Sequence, residues 1–168
     1  MTFEDAIEFV GAKEGGFTAN PDDRGNWTGG RIGGGILKGT KFGISAMSYP
    51  DLDIRNLTWQ QAKNIYKTDF WDKYDVESLP ESIRLFFFDS TINHGIGGAV
   101  KILQDAAGVT IDGDMGPKTK SAALKVTPWE FARARSDYFI DASKKGNNTT
   151  FLKGWLRRNL FVLKQSVS

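Results

Sequence analysis

The segment from Pro80 to Ile92 constrains this chain most. It reads as a helix whose Ile83, Leu85, Phe86, Phe87, Phe88 and Ile92 are apolar nearly all round. A helix without a polar face is stable only when other elements wrap it, so the fold must supply amphipathic helices to do the wrapping. The pattern provides them. Thr2 and Asp5 form a capping pair, and Phe3, Ile7 and Val10 make an apolar stripe that ends at Gly15-Gly16. Thr58-Trp59-Gln60-Gln61 is a capping box opening a helix with Ala62, Ile65, Tyr66 and Phe70 on one face. Gly95 to Gly98 breaks the central run before a short helix ending near Gly108, and Asp112-Gly113-Asp114 is a turn. Pro117 starts the next helix. Thr127-Pro128-Trp129-Glu130 then combines N-cap, N1 proline and N3 glutamate. Gly146-Asn147-Asn148 precedes a last helix around Phe151 to Leu163.

Residues 17 to 44 differ. Asn20-Pro21-Asp22-Asp23, Gly29-Gly30 and Gly33-Gly34-Gly35 carry turn chemistry, which predicts a small irregular or β-hairpin element. The expected fold class is mainly α with that element attached. No internal repeat or low-complexity linker interrupts the chain. Trp71, Trp129 and Trp155 are expected in the core, where aromatic residues at helical spacing usually lie.

Composition removes several chemistries. The chain has 168 residues and no cysteine, which excludes disulfides, a thiolate nucleophile and Cys-based metal sites. A single histidine, His94, makes Ser-His-Asp catalysis unfavoured. The net charge of +2 is not concentrated in basic clusters, so nucleic acid is not an expected partner. A mildly basic surface suits a polyanion such as a bacterial wall. The start, Met1-Thr2-Phe3-Glu4-Asp5, has no secretory signal pattern, and no stretch nears the roughly 20 apolar residues of a membrane span. The expectation is a monomer synthesised in the cytoplasm.

Glu14 continues the stripe of Phe3, Ile7 and Val10 at helical spacing. A glutamate on that face meets the core or a cleft, where desolvation raises its pKa, and the negative end of the helix dipole acts in the same direction. A carboxylic acid kept protonated is what a glycosidase needs to protonate a leaving oxygen. The alternative is a solvated glutamate at a frayed helix end.

Lys13-Glu14-Gly15-Gly16-Phe17, then Pro21, Asp23 and Gly25, then Thr40-Lys41-Phe42-Gly43-Ile44, resemble glycoside hydrolase family 108. Tyr66 with Asp69-Phe70-Trp71, and Phe88-Asp89 with Asn93-His94-Gly95, resemble the family's aromatic-rich and central helices. From residue 97, Leu103-Gln104, the run Asp112 to Thr119, and Gly154-Trp155 resemble its C-terminal peptidoglycan-binding region. The chain departs from the family at Asn20, where aspartate is usual, at Asn26, where glycine is usual, and in a glycine-rich insertion from Trp27 to Gly39.

The resemblance implies a lysozyme-like fold with a catalytic lobe over 1–96 and a helical wall-binding lobe over 97–168, packed as one compact unit. It implies a peptidoglycan muramidase, as in phage endolysins that act in host lysis, reaching the periplasmic wall through a holin or another release route. It assigns Glu14 as the acid, Asp23 as the second carboxylate and Thr40 as a residue ordering the water. Tyr66, Asp69, Asn93 and His94 are substrate-binding candidates. Each has a plainer reading: Asp23 as an Asx-turn residue, Tyr66 as a core-edge residue, His94 as a helix-end contact. Asp89, inside the apolar helix, must be paired if buried. Asp112 and Asp114 lack the rest of a calcium-loop pattern, and no metal or cofactor is expected. Three rival functions remain open: a lytic transglycosylase, a non-catalytic peptidoglycan-binding accessory of a secretion system, and a related chitin-type glycan hydrolase.

Overall fold

A computed structural model describes residues 1–11, 15–145 and 149–167. Glu14 and the Gly146-Asn147-Asn148 separator lie outside the described residues. By internal contacts the chain divides into two units, Phe3–Asp69 and Phe70–Ser168 together with Met1–Thr2.

The first unit opens with helix α1, Phe3–Gly11, which buries Phe3, Ala6, Ile7 and Val10 as the stripe requires. A short hairpin follows, β1 Thr40–Lys41 paired antiparallel with β2 Ile44–Ser45. Its two-residue turn is Phe42-Gly43, both at positive φ (51° and 76°). That conformation matches the twist of the flanking strands. Isolated bridges join Thr18 to Thr40 and Trp27 to Leu37. The irregular element expected near residues 17–44 is thus present and ends in a true hairpin. Helix α2, Trp59–Ile65, begins at the Thr58–Gln61 capping box, with both reciprocal bonds formed. At Gly11 an added Cβ would come within 2.4 Å of the Trp59 ring, so only glycine admits the indole there.

From α2 the chain runs into a π-helical stretch, Tyr66–Asp72, instead of an uninterrupted α-helix. The wider turn rotates the face of every later side chain relative to an α-helical register.

The second unit is helical. Helix α3, Glu81–Ala106, buries Ile83, Leu85, Phe86, Phe87 and Phe88, so its first half is covered on nearly every side. It breaks at Gly95 (φ 68°, ψ 169°) and resumes. Helices α4 (Pro117–Ala123), α5 (Pro128–Lys145) and α6 (Thr149–Ser166) complete the unit, with α3, α5 and α6 packed on one another and α4 against α3. Thr127 and Glu130 form the capping box of α5. Phe86 stacks on Phe131 at 5.2 Å between centroids, and Trp71 packs edge-on to Phe88 at 5.3 Å. No described helix is long and apolar enough to cross a membrane.

Of the three tryptophans, Trp71 is fully buried, and half-buried Trp155 stacks on Phe139 at 5.4 Å. Trp129 corrects the expectation: it is 66% exposed. It lies two positions before buried Phe131, about 200° round the helix, which turns it to solvent.

Candidate functional site

The loops of the first unit are organised by one side chain. Asn26 is fully buried, and its Nδ2 donates to the Asn20 carbonyl at 3.0 Å. Its Oδ1 accepts from the Thr40 hydroxyl at 2.7 Å. Its backbone carbonyl receives the amides of Lys38 and Gly39, both at 3.0 Å. One residue therefore holds the Asn20 turn, the far end of the 27–39 insertion and Thr40. The insertion folds on itself as a finger, with Thr28 N donating to Ile36 O and Gly29 N to Gly34 O. Because Asn26 pinches the base of the finger, the insertion does not separate the Asp23 turn from Thr40.

Asp23 caps the short 3-10 turn Arg24–Asn26 through Gly25 N to Oδ1 at 2.8 Å. It is exposed, and among the described residues its Oδ2 has no hydrogen-bond partner. One oxygen therefore fixes the carboxylate, and the other faces solvent. Thr40 is half-buried and clamped by backbone bonds in both directions with Thr18 (2.8 and 2.9 Å). Its hydroxyl donates to Asn26, so the oxygen can accept a hydrogen bond from a water. Gly39, at φ 89°, lets this strand approach: a Cβ there would come within 2.4 Å of the Thr18 carbonyl.

Glu14 lies outside the described residues. Of its sequence neighbours, Gly15 accepts at its carbonyl from the Phe42 amide at 3.2 Å, and the Phe17 ring carries the Arg55 guanidinium at 4.5 Å.

Asp69 is half-buried in the π-helical stretch, with Tyr49 donating to Oδ2 at 2.8 Å and Thr68 to Oδ1 at 2.9 Å. Tyr66 takes the plainer of its two readings. At 1% exposure it has no surface to offer a sugar, and its hydroxyl donates to the Phe42 carbonyl at 2.7 Å. It anchors the hairpin turn. The wider π turn separates its face from that of Asp69, three positions on.

Asn93 and His94 belong to the second unit. Asn93 is exposed, with Nδ2 donating to the Asp89 carbonyl at 2.6 Å. The His94 ring lies between Tyr138 and Phe139, at 5.0 and 4.9 Å. Its Nε2 receives Arg135 Nε at 3.4 Å. Burial, and after it the Arg135 charge, push the imidazole pKa down to about 3, so it is neutral near pH 7.

Beneath it Asp89 is buried and paired as its position required. Arg135 donates to Oδ2 at 2.5 Å, and Arg158 reaches Oδ1 at 2.7 Å. The two guanidiniums hold the carboxyl below its usual range although burial opposes them. This joins α3, α5 and α6 through one charge. The sequence reading missed Asn26 and Tyr49 as positioning groups. Asn26 stood out only as a departure from the family pattern, and nothing near Tyr49 marked it.

Comparison with known proteins places these features. The family model described as Glycosyl hydrolase 108 matches residues 7–95, more than half of the chain. A second, described as a Predicted Peptidoglycan domain, matches residues 98–160. Among solved structures, SagA of Brucella abortus superposes with a TM-score of 0.76 at 28% identity. The match covers 98% of this chain and 93% of that one. No curated protein gives a significant match.

Proposed function

The chain belongs to the glycosyl hydrolase 108 family, and from that premise we propose that it is an N-acetylmuramidase with Glu14 as its acid. The catalytic match and the peptidoglycan domain behind it make the protein a peptidoglycan hydrolase. In the finer reading it cleaves the β-1,4 bond between N-acetylmuramic acid and N-acetylglucosamine. Glu14 protonates the glycosidic oxygen. Asp23 stabilises the oxocarbenium-like transition state or activates the water, and Thr40 orders that water. Asp69, Asn93 and His94 contact the glycan.

The observation that carries this reading is the Asn26 clamp. It holds Thr40 against the turn whose Asp23 keeps one carboxylate oxygen free, downstream of the Glu14-Gly15-Gly16-Phe17 motif. A carboxylate fixed at one oxygen and open at the other suits a group that meets a water or a sugar. The buried, neutral His94 suits a packing or hydrogen-bonding role better than proton transfer. The biological setting proposed with it is host-cell lysis by a phage endolysin, released to the periplasmic wall by a holin-type route.

The test is mass spectrometry of muropeptides released from purified Gram-negative peptidoglycan by wild type and Glu14→Gln. Reducing muramic acid ends from wild type alone are the expected result. Anhydro ends would make the protein a lytic transglycosylase, and no glycan cleavage by wild type would refute the enzymatic reading. A second signature is pH: activity should fall as pH climbs past the Glu14 pKa, and a flat profile to about pH 9 would count against Glu14 as a raised-pKa acid.

A further inference from the structure

The second unit contains a pocket of about 720 Å³, all of whose lining residues fall between Ala106 and Glu130, within the peptidoglycan-domain match. Small apolar groups such as Pro117, Ala122 and Val126 line it. Lys118 and Lys125 line it, and among the described residues neither ammonium has a hydrogen bond or ion pair. Glu130 also lines it, with Oε2 engaged by Thr127 and Oε1 open.

The segment between two of its lining residues, Val109 and Pro117, is fixed in advance. Gln104, 1% exposed, donates through Nε2 to Asp112 Oδ1 at 2.6 Å, to the Asp114 carbonyl at 3.0 Å and to Thr119 Oγ1 at 3.1 Å. Its Oε1 accepts from Gly113 N at 2.8 Å. The segment from Val109 to Pro117 is therefore held in place before any ligand arrives, which lowers the ordering cost of binding. The volume lies in the range of small-ligand sites.

We propose that this pocket binds the peptide stem of peptidoglycan, and not its sugars. The inference rests on the wall-hydrolase reading and names the part of the wall this unit grips. Glycan strands offer hydroxyls and acetamides, for which a pocket usually supplies aromatic faces and neutral hydrogen-bonding groups. This pocket instead supplies two lysines without an ion pair among the described residues, one open carboxylate oxygen and several small apolar groups. A stem peptide is complementary on every count: it is short, alanine-rich, carries several free carboxylates and, where a diamino acid is not cross-linked, one ammonium. The lysines meet the carboxylates, Glu130 meets the ammonium, and the alanine methyls lie on Pro117, Ala122 and Val126.

The experiment compares full-length wild type with the double variant Lys118→Glu/Lys125→Glu, both checked for equal Tm. Each is bound to intact sacculi and to amidase-stripped glycan strands, and titrated with the free alanyl-glutamyl-diaminopimelyl-alanine tetrapeptide. Wild type should prefer intact wall by about tenfold, the yield of two partly exposed ion pairs, and should bind the tetrapeptide. The double variant should lose both while cleaving soluble stripped strands at the wild-type rate. Equal wild-type binding to stripped and intact wall, or an unchanged preference in the variant, overturns the proposal. Wild type that binds stems but releases no reducing ends refutes the muramidase reading and leaves this one standing.

Discussion

Both units of the molecule place a fully buried side-chain amide under a loop, yet they depend on it differently. In Phe3–Asp69, Asn26 holds a stretch whose strands, among the described residues, are two residues each. In Phe70–Ser168, Gln104 holds a turn on the edge of a helical core that is already closed by Phe86, Phe87, Phe88 and Phe131 and by the Asp89 ion cluster. The first unit has little apolar redundancy along its loop, so geometry there hangs on single polar bonds. The second can lose a loop bond and keep its core. A loop built this way is adjustable by single substitutions, while the helical unit keeps its core.

The sharpest break in that comparison is Asp89→Ala. It leaves Arg135 buried and unpaired among α3, α5 and α6, and breaking such a pair costs about 3–5 kcal/mol. Urea unfolding should show a loss of that size. A change under about 1 kcal/mol would mean the cluster is solvated.

Next comes Asn26→Ala, which leaves the Asn20 carbonyl with the Asp23 amide alone and frees the Thr40 hydroxyl. Losing two hydrogen bonds at a partly buried site costs about 1–3 kcal/mol in all. If the clamp serves catalysis, kcat should drop at least about tenfold, since each 1.4 kcal/mol is a factor of ten. An unaltered kcat with lowered stability would make Asn26 a scaffold residue alone.

The third test is of pH. His94 has a folded pKa of about 3 against 6.5 for the free group. Between those values the unfolded chain binds the proton that the folded chain refuses, so the stability from neutral His94 is full above pH 6.5 and is lost as pH falls toward 3. From pH 7 to pH 5 the loss should reach about 2 kcal/mol. His94→Asn should flatten the Tm profile across that window; a slope equal to wild type would assign it to other groups.

The smallest effect belongs to Trp129→Ser. At 66% exposure the ring contributes little to packing, and the stability change should stay within about 0.5 kcal/mol. A larger loss in calorimetry would show that its exposed face is covered.

Much of the fold was legible because its signals are local. The Thr58–Gln61 and Thr127–Glu130 boxes, the break at Gly95 and the all-round burial of Phe86, Phe87 and Phe88 each follow from residues within a few positions of one another. Trp129 was misplaced because helical spacing alone does not say which face is turned inward. Tyr66 lies on the apolar face its spacing from Ala62 predicts, while Asp69 leaves that face because the π turn changes a register that periodicity assumes to be α-helical. Asp23 and Thr40 were named as candidates from residue type, but their linkage through Asn26 was not legible.

Sequence by itself determined the helices, their caps and breaks, the turn-rich segment, and the requirement that a carboxylate at Asp89 find a partner. Tertiary structure alone decided which partner. Asp89 meets Arg135 and Arg158, 46 and 69 positions away, Tyr66 reaches the Phe42 carbonyl 24 positions back, and Thr40 reaches Asn26 across the insertion. Periodicity and capping depend on neighbours within one or two turns, whereas a side chain's hydrogen-bond partner depends on where distant backbone is brought by packing.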